Sequence, residues 1–84
     1  MSNNNEKNIS IKFISSDLTI NYEMTCKSTD KFNNVEIILY EQYPRLLEEE
    51  CFFLCKGKKI NRMKTLEENN IKNGDVIVLA FNEV

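Results

Sequence analysis

Only one stretch of this chain carries helical spacing, and that limits the fold more than anything else in it. Phe32, Val35 and Leu39 recur three and four residues apart, the period of one helix face. Ser28, Thr29 and Asp30 precede them, the residue types that cap helices. No glycine or proline intervenes before Pro44, which lacks a backbone donor and ends the run. The spacing predicts one helix over 30–42. A single helix covers only one face of a small sheet, so the other apolar segments have to supply that sheet.

They read as strands. Ile9, Ile11 and Phe13 alternate with Ser10 and Lys12, and Leu18, Ile20, Tyr22 and Met24 alternate with Thr19, Asn21 and Glu23. Ser15, Ser16 and Asp17 supply the turn between them, so the chain opens with a β-hairpin. After the helix, 45–50 read as a connection and Cys51-Phe52-Phe53-Leu54-Cys55 as a third strand. Lys56-Gly57-Lys58 is a turn in which glycine accepts a positive φ, and Lys59-Ile60 form a short fourth strand. Thr65 caps a single helical turn. Asn73-Gly74-Asp75 leads into a last strand, Val76 through Phe81. The order is β-β-α-β-β-β. Residues 9–81 form the domain, with a disordered N-terminal tail expected at 1–8 and a C-terminal tail at 82–84.

With 84 residues there is room for one domain. Hydrophobic residues at 42% supply one core, and nothing approaches the ~20 apolar residues of a membrane span. The polar first eight residues do not resemble a secretory signal. The chain has no histidine, which excludes Ser-His-Asp and Cys-His catalysis and His-ligated metals. Its two glycines cannot build a phosphate-cradling loop. No enzyme, cofactor or metal is expected. A net charge of −2 argues against nucleic acid. Lys56, Lys58, Lys59, Arg62 and Lys64 do cluster after Glu48, Glu49 and Glu50, as a balanced solvated surface or as a basic patch for an acidic segment. The three cysteines, Cys26, Cys51 and Cys55, include no CxxC pair. Cys51 and Cys55 on one strand face lie about 13 Å apart, too far for a disulfide. All three read as reduced, mostly buried thiols of a cytoplasmic or nuclear protein.

Several segments carry a resemblance. Phe53-Leu54-Cys55-Lys56-Gly57-Lys58-Lys59-Ile60, Lys64-Thr65-Leu66-Glu67-Glu68-Asn69-Asn70-Ile71 and Gly74-Asp75-Val76-Ile77-Val78-Leu79 follow in order, and Asn34-Val35 starts the helix. This pattern resembles the ubiquitin-like (β-grasp) family over about residues 9–81. The resemblance implies an α+β fold, a mixed four- to five-stranded sheet packed on one helix. Ile9, Ile11, Phe13, Tyr22, Met24, Cys26, Phe32, Val35, Leu39, Phe53, Ile60, Leu66, Ile71, Val76 and Val78 would form its core.

The resemblance also implies a working surface. With Phe53, Val76 and Val78 inward, Phe52, Leu54, Ile77 and Leu79 face away from the helix. Leu54, Ile77 and Leu79 then match the family's exposed apolar patch, with Lys56 and Lys59 as its rim. On that reading Ile77→Asp abolishes docking and leaves the fold cooperative. Phe52 stands where ubiquitin has an arginine, and Lys58 where it has a chain-forming lysine; here Lys58 reads as a plain turn residue. Ile37 and Tyr40, on the far side of the helix, read as a second surface for a neighbouring domain or chain, or as a partly buried rim.

Conjugated members end in Gly-Gly, whereas this sequence ends Ala80-Phe81-Asn82-Glu83-Val84. The expectation is a non-conjugated, monomeric interaction module, the N-terminal domain of a longer protein of the ubiquitin-proteasome pathway. It would bind a ubiquitin-receptor-type helix or loop. Two alternatives stand beside it: a modifier whose Gly-Gly lies outside these residues, and a Ras-binding or PB1-type adaptor, for which strong salt dependence would speak. A ferredoxin-type cluster needs four cysteine ligands and is disfavoured.

Overall fold

The computed structural model describes residues 7–81. Strands β1 (Asn8–Ser15) and β2 (Asn21–Lys27) form the opening hairpin, and helix α1 spans Phe32–Gln42. A 3-10 helix, Pro44–Glu48, leads to β3 (Cys51–Cys55), β4 (Lys58–Lys59) and β5 (Val76–Phe81). The five strands make one sheet in the order β2-β1-β5-β3-β4. Strand β5 lies parallel to β1 and antiparallel to β3, and the two hairpins are antiparallel. One helix against a mixed sheet is the α+β architecture that the resemblance implies.

The hairpin turn is longer than its sequence suggests. The Asp17 carboxylate accepts from the Ser15 and Thr19 hydroxyls, both at 2.7 Å, and from the Thr19 N–H at 3.1 Å. These bonds hold Leu18 in the left-handed region at φ 65, so β2 starts at Asn21 rather than at Leu18. They also hold the exposed Asp17 carboxyl well below its ordinary 3.8, at about 2, with the Ser15 hydroxyl the largest cause.

The helix starts two residues later than expected, because Asp30 is used elsewhere. Its carboxylate accepts the Lys27 N–H at 3.0 Å and closes the turn out of β2. Lys31 takes the cap position with no side-chain cap bond among the described residues. The first helical donors go instead to the loop after β4: Phe32 N–H to the Lys64 carbonyl at 2.9 Å and Asn33 N–H to the Arg62 carbonyl at 3.1 Å. Orphan donors at a helix start need such partners. Beyond Pro44 the connection is a 3-10 helix that puts Leu46 into the core. Thr65 and Glu68 form a reciprocal cap, Glu68 N–H to Thr65 Oγ1 at 3.1 Å and Thr65 N–H to Glu68 Oε1 at 2.9 Å. The segment after Thr65 is a set of hydrogen-bonded turns rather than a helix.

The core lies between α1 and the sheet. Phe32, Val35 and Leu39 from the helix meet Ile9, Ile11, Phe13 and Phe53, all buried. Phe13, Phe32 and Phe53 form a ring trio with centroids 4.9–6.3 Å apart. Tyr22 and Met24, expected inside, are half-buried at the β2 edge. Ile20, Leu46 and Cys55 join the core. The main correction concerns β5. Ile77 and Leu79 are 0% exposed, whereas Val76 and Val78 are 43% and 36% exposed. The strand faces the opposite way from the sequence expectation. Register explains it: Leu79 sits opposite Phe53 and Ile77 opposite Phe13 and Cys55, and residues paired across strands point to the same face. Of the expected tails, 1–6 and 82–84 lie outside the described residues; Lys7 N–H donates to Ser28 Oγ at 3.2 Å and Asn8 opens β1.

Candidate functional site

The candidate surface is the sheet face turned away from α1. Strand alternation puts Ser10, Lys12 and Ile14 of β1 on it, with Phe52 and Leu54 of β3 and Val76, Val78 and Ala80 of β5. Pairing arranges them in rows. Ile14, Val78, Leu54 and Lys59 lie side by side across β1, β5, β3 and β4. Phe52 sits beside Ala80 in one neighbouring row, and Lys12 beside Val76 in the other. Neighbouring strands are about 4.8 Å apart, so the apolar part of the central row is roughly 10 Å across. Solvent-facing positions of an antiparallel pair are usually polar. Here six neighbouring ones, Ile14, Phe52, Leu54, Val76, Val78 and Ala80, are apolar.

The expected site residues divide three ways. Phe52, Leu54 and Lys59 are on this face. The Lys59 ammonium lies 5.5 Å from the centroid of the Phe52 ring, a cation–π distance. Ile77 and Leu79 are not on it, because they are core. Lys56 is on the face's margin and already engaged: its ammonium pairs with Asp75 at 3.2 Å and donates to the Asn70 carbonyl at 3.2 Å. Lys12 borders the face on the other side, next to Glu23 in register. The rim is therefore cationic at Lys59 and mixed at Lys12.

Sequence reasoning missed Ile14, Val76, Val78 and Ala80. Ile14 carried a usable signal. It is an apolar residue in the polar slot that follows Phe13. Six consecutive apolar residues in β5 carried no period at all.

The second surface is smaller than expected. Ile37 is 54% exposed, but the Tyr40 hydroxyl is turned to the protein and donates to Glu36 Oε2 at 2.6 Å. Burial and that carboxylate push the phenol pKa far up. Cys26 and Cys55 are buried and Cys51 is half-buried, all as free thiols. Burial pushes Cys26 up to about 11 and raises Cys51 and Cys55 as well, which leaves them weak nucleophiles at neutral pH. Among the described residues no three metal-binding side chains come together, and no helix is long and apolar enough to cross a membrane.

Neither a protein-family model nor a curated protein matches the sequence. Solved structures do match the fold. A protein designed de novo on the basis of ubiquitin superposes with a TM-score of 0.77 at 21% identity, covering 92% of each chain. The UBL domain of Dsk2 from Plasmodium falciparum superposes with a TM-score of 0.75 at 14% identity, covering 90% of this chain and all of that one. At such identities the likeness is one of fold.

Proposed function

This chain has the ubiquitin-like β-grasp fold, and we propose that it acts as a non-enzymatic interaction module. Its docking surface is the outer sheet face, centred on Leu54 and Val78 and extended by Ile14, Val76, Phe52 and Ala80. One observation carries the proposal: Val76 and Val78 stay 43% and 36% exposed beside half-buried Phe52 and Leu54. A contiguous apolar patch rimmed by charge marks an interaction site more often than an accident. The partner is an apolar helix or loop, bound mainly by surface burial. The ammonium of Lys59, held over Phe52, offers a place for an acidic side chain at the margin.

The test is an amide NMR titration of the labelled domain with a panel of ubiquitin-binding helices and proteasomal receptor modules, repeated with Val78→Asp. The expected result is shifts confined to residues 12–14, 52–54 and 76–80 in the parent. Val78→Asp should lose them by at least tenfold in affinity, because a charge at the centre of an apolar contact is left desolvated. Its fold should remain cooperative. Unchanged affinity in Val78→Asp, or shifts confined to the helix, would remove this face from the assignment.

A further inference from the structure

Glu36 is a buried carboxylate, 6% exposed, that the docking proposal does not use. Its two oxygens are both occupied. Oε1 lies 3.3 Å from Arg62 Nε, and Oε2 accepts the Tyr40 hydroxyl at 2.6 Å. The same Arg62 guanidinium reaches further. Its Nη2 donates to the Cys51 carbonyl at 2.9 Å, and its central carbon lies 5.2 Å from the Phe53 ring centroid. One cation thus links the helix to two residues of β3, and Phe52 lies between those two.

The Cys51 bond has a topological meaning. Strand β4 contains only Lys58 and Lys59. Its side of β3 is paired as far as Phe53, whose carbonyl accepts the Ile60 N–H at 2.9 Å. Backbone groups two residues apart point to the same edge of a strand, so the next acceptor on that edge is Cys51. Arg62 supplies the hydrogen bond there that no further β4 residue supplies. Phe52 points its backbone to the other side, toward Ala80 of β5. Its ring faces out beneath Lys59.

We infer that Arg62 is a positioning residue for the outer face: where β4 stops, its guanidinium takes over the open edge of β3 and fixes Phe52, while Glu36 anchors it to the helix. The functional meaning of this role rests on the docking proposal above. The structural part does not. Arginine is suited to it because its fork makes two directed bonds at once, whereas lysine offers a point charge.

The test compares Arg62→Lys, Tyr40→Phe and the parent by amide hydrogen exchange and side-chain NMR. Arg62→Lys keeps a cation near Glu36 and loses the fork. Exchange at Phe52 and Ala80 should quicken about tenfold, the order of one lost hydrogen bond, relative to the amides of Ile11 and Phe13 in the core. The upfield shift that the Phe52 ring imposes on the Lys59 side chain should shrink. Tyr40→Phe loses the hydroxyl's bond to Glu36 and its 3.9 Å contact with Cys51 Sγ but keeps the Arg62 bond to the Cys51 carbonyl, so it should leave both readouts unchanged. If Arg62→Lys does not fold, the paired variant Glu36→Met with Arg62→Met leaves no orphan charge and should show the same local signature. A uniform loss of protection across β1, β3 and β5, with the Lys59 shift kept, would overturn the inference. These readouts need no partner. A panel that fails to bind the parent therefore counts against the docking proposal, and the exchange pattern still decides the role of Arg62. Where a helix from the panel does bind, Arg62→Lys should weaken it severalfold and Tyr40→Phe should not.

Discussion

Replacing Ile77 by alanine and, separately, Val78 by alanine tests the orientation of β5 directly. Ile77 is 0% exposed, between Phe13 of β1 and Cys55 of β3 in register. Truncating such an isoleucine removes its transfer free energy and leaves a cavity, which together cost about 2–5 kcal/mol. A small domain has roughly 5–15 kcal/mol in total. At about 4–8 °C per kcal/mol for this chain length, Ile77→Ala should melt roughly 8–40 °C below the parent. Val78 is 36% exposed. Its truncation removes two carbons, worth about 0.8 kcal/mol each when fully buried, so the expected cost is near 1 kcal/mol. Urea unfolding followed by far-UV circular dichroism supplies both values, provided the slopes agree. An equal or larger loss for Val78→Ala would refute the orientation and with it the composition of the proposed docking face. The same geometry reverses the expectation for Ile77→Asp. That variant buries an unpaired charge in the core and should unfold rather than merely lose a partner.

Asp17 should titrate at about 2 in a carbon-detected NMR experiment. Its folded pKa lies below the unfolded one, so the stability it adds is present above the ordinary 3.8 and fades as pH falls toward 2. A midpoint at the ordinary value would show that the Ser15 and Thr19 bonds are absent in solution. The thiols run the other way. With Cys26 raised from 9.0 to about 11, its neutral form favours the fold below pH 9, and that contribution is lost as pH rises toward 11. Alkylation of Cys26 at pH 8 should be slow in the native protein and fast in urea; equal rates would contradict its burial.

Much of the fold was legible because local chemistry and global fold agree. Alternation in Ile9–Phe13 fixed the inward face of β1, the spacing of Phe32, Val35 and Leu39 fixed that of the helix, and Pro44 marked its end. Thr65 is the cap that the sequence suggests, accepting the Glu68 N–H, although the segment it caps is a set of turns and not a helix. The errors came where hydrogen-bonding groups found partners distant in sequence. Asp30 looks like a helix cap and closes a turn instead, because the helix donors are met by the Arg62 and Lys64 carbonyls. Arg62 read as one of a run of surface cations, yet its guanidinium pairs with a buried carboxylate on another element.

The outer sheet face shows where the division lies. The sequence implied an outer face, because one helix covers only one side of a sheet, and through its family resemblance it placed Phe52 and Leu54 of the wholly apolar β3 on that face. It did not determine the contribution of β5. Val76 through Phe81 is apolar at every position, and the polar residues at its two ends, Asp75 and Asn82, argue for opposite parities. A strand that is apolar on both sides folds equally well either way up, as far as its own residues are concerned. Only its neighbours break the tie. Leu79 must share a face with Phe53, and Ile77 with Phe13, because cross-strand partners point the same way. Register between distant segments, which is a tertiary property, put Ile77 and Leu79 in the core and left Val76 and Val78 exposed on the outer face.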